Sequence, residues 1–169
     1  MTVQPATPET GFDERALRDR ERRLRTTVAS LGSVVVAYSG GVDSAYLAYV
    51  ATSVLGERAV SVTADSASYP ARHRELAVRL AHQFNLRHEF ISTGEMENPD
   101  YRANAPDRCY HCKHELFSRL TAFARARGFA SVVDGANADD RGDYRPGRQA
   151  AREFGVLSPL DDADLTKDD

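Results

Sequence analysis

The chain has 169 residues, 41% of them hydrophobic and 28% charged, with 22 basic against 25 acidic side chains and a formal charge of −3. That length predicts one compact unit able to bury roughly 70% of its unfolded surface, so no disulfide or metal staple is required, and the composition argues against disorder over most of the chain. The sequence pI near 6.0 gives no broad electrostatic footprint for nucleic acid, and the longest aliphatic runs, such as Val34 to Ala37, fall far short of the roughly 18 residues of a spanning helix, so neither nucleic acid nor membrane is an expected partner.

Pro5, Pro8 and Gly11 among small polar residues make residues 1–12 a flexible tail. The start from Met1 to Thr10 lacks the apolar core of a secretory leader, and a cytoplasmic location is expected. A charged surface helix follows over 12–31, with a thin apolar line at Leu17, Leu24, Val28 and Leu31. The pattern then alternates short apolar runs with helical periodicity. Val34 to Tyr38 is β-branched and bounded by Gly32 and Gly40, the mark of a buried strand, and 43–55 carries Leu47, Val50, Ala51, Val54 and Leu55 at helical spacing. A second strand is expected over 59–64. A helix over 70–84 opens with Pro70 in its first turn and turns Leu76, Ala77, Leu80, Ala81 and Phe84 to one face. A third strand covers 87–92. A polar loop over 93–107 leads to a helix over 108–127, buried through Leu116, Phe117, Leu120 and Phe123 and stopped by Gly128, and a fourth strand covers 130–134. Such alternation predicts an α/β fold, a Rossmann-like parallel sheet wound on both faces, with its ligand crevice beyond the carboxyl ends of the strands.

The first strand runs into its helix through Ser39-Gly40-Gly41-Val42-Asp43-Ser44. Paired glycines let the backbone turn tightly, so the amides from Gly40 to Ser44 can converge on an anion at the helix start, and pyrophosphate is the natural occupant. Asp43 would repel phosphate unless a hard divalent cation bridged them, which points to Mg2+ with Ser39 and Ser44 supplying hydroxyls. The loop is neither Gly-x-x-x-x-Gly-Lys nor Gly-x-Gly-x-x-Gly, which removes the basis for GTPase and dehydrogenase readings. A glycine-rich turn capped by Asp or Ser is the purely structural alternative.

With these residues the chain resembles the PP-loop ATP pyrophosphatases, whose hallmark is Ser-Gly-Gly-x-Asp-Ser after a first strand and which include asparagine, GMP and NAD synthetases and tRNA-thiolating enzymes. Further segments, in order and spacing, are similar to the amino-terminal domain of the LarE branch, the ATP-dependent sacrificial sulfur transferases of nickel-pincer cofactor synthesis. They are Ser66-Ala67-Ser68-Tyr69-Pro70, Asn98-Pro99-Asp100-Tyr101 with Asn104, Arg108-Cys109-Tyr110-x-Cys112-Lys113, Asp134-Gly135-Ala136-Asn137-x-Asp139-Asp140, Asp143-Tyr144-Arg145-Pro146-Gly147, and Ser158-Pro159-Leu160 through Leu165-Thr166-Lys167. The resemblance implies the adenine nucleotide alpha hydrolase type of fold over 13–169 and ATP with Mg2+ as cofactors. It also implies adenylation of a carboxylate with release of pyrophosphate, and a pyridinium dicarboxylate mononucleotide as substrate. LarE relatives continue past the position of Lys167 into a domain holding the sulfur-donating cysteine, and the chain ends at Asp169, so that donor is expected to be absent and the chain to be an adenylating half. The family's hexamer with shared sites makes a homo-oligomer possible. A non-catalytic nucleotide-binding module, a subunit of a split enzyme and a tRNA-thiolating enzyme are the alternatives.

The expected nucleotide-binding residues are Ser39, Gly40, Gly41, Val42, Asp43, Ser44, Ala64, Ser66 and Gly135; the expected metal ligands are Asp43 and Asp134; and Asp43, Ser44, Asp134 and Arg145 are expected at the chemistry. Asp134, at the end of the fourth strand beside Gly135, leads an acidic run with Asp139, Asp140 and Asp143 whose first members should overhang the same crevice, against the alternative of a solvated Asx-rich turn. Arg145, or Arg108 and Lys113 beside the cysteines, could grip a phosphate or carboxylate. Ser66 and Ser68 follow the second strand, where by analogy a base or ribose would lie, or else cap the next helix. Cys109 and Cys112 stand at a helix start between Arg108 and Lys113, a setting that favours thiolate. A zinc site would have to add His111 and His114 from the same turn, a poor tetrahedral set. His73, His82 and His88 show no ligand spacing and are expected to pack or to face solvent.

Overall fold

The computed structural model describes residues 13–66, 69–94, 108–142 and 146–169. The first helix, α1 (Glu14–Ser30), is capped by Asp13, whose carboxylate accepts from the Ala16 amide at 3.1 Å. Only its apolar line reaches the core, with Leu24 and Val28 buried. Strand β1 (Val34–Ala37) leads into α2 (Val42–Leu55), and β2 (Ala59–Asp65) into α3 (Ala71–Gln83). Strand β3 (His88–Ser92), helix α4 (Arg108–Arg127), strand β4 (Ser131–Val133) and the short helices α5 (Pro146–Glu153) and α6 (Pro159–Asp162) complete the order. Gly128, at φ +75°, ends α4 as expected.

All four strands are parallel in the order β3-β2-β1-β4. Beyond β4 a single parallel bridge joins Val133 to Leu157, so the 156–158 segment extends the sheet by one residue pair. Two buried clusters flank the sheet, and β1 feeds both through its period of two: Val34 and Val36 face α1, α2 and α6, while Val35 faces α4 and α5. Phe117 and Leu120, fully buried on α4, each contribute about 1.5–3 kcal/mol by leaving water. The expected parallel sheet covered on both faces is the observed fold.

The element bounds differ from expectation at two places that have a physical cause. Pro70 is not in the first turn of α3 but caps it from outside in an extended conformation, ψ 135°, and no side chain accepts from that helix start. Strand β4 stops at Val133, where its pairing with the 156–158 segment is limited to one residue pair, closed by the Asp134 amide donating to the Leu157 carbonyl at 2.9 Å. The tail, the loop over 95–107 and the Asp143-Tyr144-Arg145 stretch, with its candidate Arg145, lie outside the described residues, as does Ser68.

Candidate functional site

At the carboxyl end of β1 the chain must reverse into α2 within a few residues. Gly40 makes this possible with φ +76°, and it passes so close to α3 that an added Cβ would meet Ala77 at 3.0 Å. Gly41 then caps α2 with no side-chain bond, so the first-turn amides are left for another acceptor. Hydroxyls brace the bend from within. Ser44 Oγ donates to the Gly41 carbonyl at 3.0 Å and lies 3.2 Å from Ser39 Oγ, and the Ser39 amide donates to Ser44 Oγ at 3.2 Å.

Helix α3 and its approach brace the bend from outside. Tyr38 Oη donates to the Ala77 carbonyl at 3.0 Å, and Tyr69 Oη to the Ser39 carbonyl at 2.9 Å. Burial, with Tyr69 nearby as the lesser cause, pushes the Tyr38 hydroxyl up to about 12. Thr63 Oγ1 donates to the Tyr38 carbonyl at 2.7 Å and so accepts from His88 Nε2 at 2.8 Å, which fixes the Nε2–H tautomer. His88 packs edge-on between Tyr38 and Phe90, and its pKa is lowered first by burial and then by Arg74. This is the packing role expected of that histidine.

The bend opens on a cleft of about 730 Å³ lying over the carboxyl ends of β1, β2 and β4. Ser39, Gly41, Asp43, Ser44, Ala64, Asp134 and Gly135 line it together. Gly40 instead packs beneath on Ala77, Val42 turns its side chain to solvent at 76% exposure, and Ser66 stands outside the lining, its carbonyl accepting from the Tyr69 amide at 3.0 Å. Asp134 is buried, and its Oδ1 accepts from Ser158 Oγ at 2.8 Å and from the Ala136 amide at 3.2 Å. Both bonds fall on one oxygen, and among the described residues none donates to Oδ2.

The acidic run divides. Asp140 lines the cleft, and its Oδ2 accepts from the Asn137 amide in a capping box over the Ala138–Asp140 turn. Asp139, expected to overhang the crevice if functional, turns away to accept from the Lys167 amide at 2.8 Å. Cys109 lines the cleft and Cys112 is half-buried, and neither forms a disulfide. Among the described residues no group of three or more His, Cys, Asp or Glu could hold a metal ion. The oxygen donors of Asp43 and Asp134 still suit a hard cation that takes its other ligands from water and from a bound phosphate.

Four lining residues carried no clear signal in the sequence. Tyr69 and Ser158 sit inside the quoted motifs but only their contacts reveal a role, and Arg148 and Arg152 look like ordinary helix-surface arginines until α5 is placed against α4.

A family model for NAD synthase matches residues 16–133. An uncharacterised protein of Synechocystis sp. is 45% identical over 151 residues, covering 89% of this chain and 56% of that protein. The pyridinium-3,5-bisthiocarboxylic acid mononucleotide synthase of Lactiplantibacillus plantarum, the LarE relative, is 32% identical over 154 residues, covering 90% of this chain and 56% of that protein. The chain thus spans about half the length of these curated relatives. Among solved structures, the NH3-dependent NAD synthetase from Campylobacter jejuni in complex with nitrate superposes with a TM-score of 0.64 at 16% identity, over 85% of this chain and 66% of that one, which speaks for the fold alone. Among the described residues no helix is long and apolar enough to cross a membrane. The family match spans the sheet and the Ser39–Ser44 bend together, and the chain therefore belongs to the NAD synthase family within the PP-loop ATP pyrophosphatase superfamily.

Proposed function

We propose that the chain binds ATP with Mg2+ at the Ser39–Ser44 bend and adenylates a carboxylate of a pyridinium dicarboxylate mononucleotide, the activating step of LarE-like sulfur transfer. The observation that carries this reading is the single cleft in which the uncapped start of α2, Asp43 and Asp134 meet. The substrate class comes from the relative at 32% identity, which is named for its bisthiocarboxylic acid mononucleotide product.

In the reaction a carboxylate oxygen forms a bond to the α-phosphorus, and the α–β bridging bond breaks with its electron pair leaving on pyrophosphate. Negative charge grows on the leaving diphosphate. The amides of the first turn of α2 meet that charge with donors held in place beforehand, which is the arrangement that lowers such a barrier most, while the Ser39 and Ser44 hydroxyls hold the bend that presents them. Asp43 and Asp134 would hold the Mg2+, which supplies charge neutralisation to the phosphates. Tyr38, Tyr69 and Ala77 keep the bend from relaxing when the ligand is absent, so little reorganisation is needed on binding.

Incubation of the protein with Mg-ATP and the pyridinium dicarboxylate mononucleotide should release pyrophosphate and form the acyl adenylate, and an Asp43→Ala protein should do neither while melting like the parent. Orthophosphate as the product, or nucleotide binding without turnover on the carboxylate, would overturn the proposal, the second result leaving a nucleotide-binding module in its place.

A further inference from the structure

The cleft has two chemically distinct walls. One is the bend with its carboxylates. The other is built by α4 and α5, which pack closely on each other, and it brings Lys113, Arg148 and Arg152 to the lining. Gly147 locks these helices together, since a Cβ there would lie 2.9 Å from Lys113 Cγ and 3.7 Å from the Cys109 carbonyl. Lys113 therefore rises beside the residue that precedes Arg148. Arg148 and Arg152 are one helical turn apart on α5, a like-charge spacing that opposes helix stability, and both line the cleft.

Arg148 is also held from behind. Its Nη2 donates to Asp161 Oδ2, and Asp161, only 9% exposed at the start of α6, receives Arg141 on its other oxygen. One nitrogen of a five-donor guanidinium is thereby anchored, which fixes the plane of the remaining donors, and among the described residues none of these has a further acceptor. A side chain oriented by a buried carboxylate, at a wall with two more cations, has the form of a phosphate-binding fork. The triphosphate already has amides and a metal-binding pair on the opposite wall, so this second wall needs an anion of its own.

We infer that the α4–α5 wall, through Arg148 with Lys113 and Arg152, binds the 5′-phosphate monoester of the second substrate, with Asp161 as the residue that positions Arg148. The identity of that substrate rests on the function proposed above, but the phosphate site does not require turnover. Equilibrium titration separates the two. The probes are the pyridinium dicarboxylate mononucleotide, the same nucleoside without its phosphate, and Mg-ATP.

The parent should bind the mononucleotide at least tenfold more tightly than the nucleoside. Arg148→Gln should bring the two within twofold of each other and leave Mg-ATP affinity within twofold of the parent. Arg148→Lys should recover part of the difference, as a point charge without the fork. Asp161→Asn should weaken the mononucleotide selectively at temperatures well below its melting point, whatever it costs in stability. The inference is overturned if the parent does not prefer the phosphorylated ligand, if Arg148→Gln keeps the preference, or if that variant loses Mg-ATP affinity to the same extent, which would assign the arginine to the triphosphate. A parent that shows the preference and releases no pyrophosphate would sustain the phosphate site and sink the proposed reaction.

Discussion

Gly135, just past β4, lies against Ser44 in the first turn of α2: a Cβ at Gly135 would come within 2.9 Å of the Ser44 amide nitrogen and 3.1 Å of its Cα. The segments that follow β1 and β4 thus touch backbone to backbone. Gly135→Ala should push the first turn of α2 away, costing about 1–3 kcal/mol of stability through overpacking. Turnover should fall by roughly tenfold to a hundredfold from the misplaced bend. A variant with unchanged melting and unchanged pyrophosphate release would show that this contact is slack.

The adjacent glycines of the bend should behave oppositely. Gly40 combines φ +76° with the Ala77 backbone at 3.0 Å, so Gly40→Ala should lose about 1–2 kcal/mol for the left-handed backbone alone. Gly41 has φ −73°, and a Cβ there would meet only Ser39 Oγ at an ordinary 3.5 Å. Gly41→Ala should therefore melt at or slightly above the parent's temperature. Chemical denaturation of the two proteins side by side measures the difference, and equal losses would contradict the described bend.

Ser158 donates to the Asp134 oxygen that is already bonded, at 2.8 Å, and thereby sets the plane of the carboxylate. Ser158→Ala should cost about 1 kcal/mol of stability. The Mg2+ concentration for half-maximal pyrophosphate release should rise several-fold, with maximal rate recovered at high Mg2+ if Asp134 is the ligand. An unaltered Mg2+ titration would take Asp134 out of that role.

Alkaline unfolding offers a test of the brace behind the bend. The Tyr38 hydroxyl is raised from 10 to about 12, chiefly by burial, so its un-ionised form is favoured in the folded protein. Stability from this group is complete below pH 10 and is lost as pH climbs from 10 through 12, by about 2–3 kcal/mol at most. Tyr38→Phe should be less stable than the parent at pH 7 by about 1 kcal/mol, having lost the bond to the Ala77 carbonyl. That gap should close and then reverse between pH 10 and 12 in urea titrations; parallel curves would mean that the hydroxyl is not buried as described.

The sheet and the bend were legible in the sequence for one reason: both are local. Val34 to Tyr38 announces a buried strand by β-branching, and two glycines before an Asp-Ser announce a turn with open amides. Asp134 could be placed over the crevice because strand ends in a parallel sheet share one edge. What stayed hidden depends on contacts across long stretches of chain. Nothing in the spacing of Arg148 tells that Asp161 will hold it from α6, or that Gly147 will bring it beside Lys113. The fates of Asp139 and Asp140 were equally out of reach, since a single turn aims one at the Lys167 amide and the other at the cleft.

The register of the parallel sheet also bears on how the molecule assembles. Strand β1 meets β2 through Val34 and Ala59, a modest span of chain, but meets β4 through Val34 and Ser131, across more than half of the chain. Closing so large a loop carries the highest entropy cost of the three strand pairings. Asp43 follows β1 and Asp134 follows β4, so the cleft that both carboxylates line is complete only once these two strands have paired. Acquisition of nucleotide affinity should then trail the recovery of helical signal during refolding, making the ligand itself a reporter of that pairing.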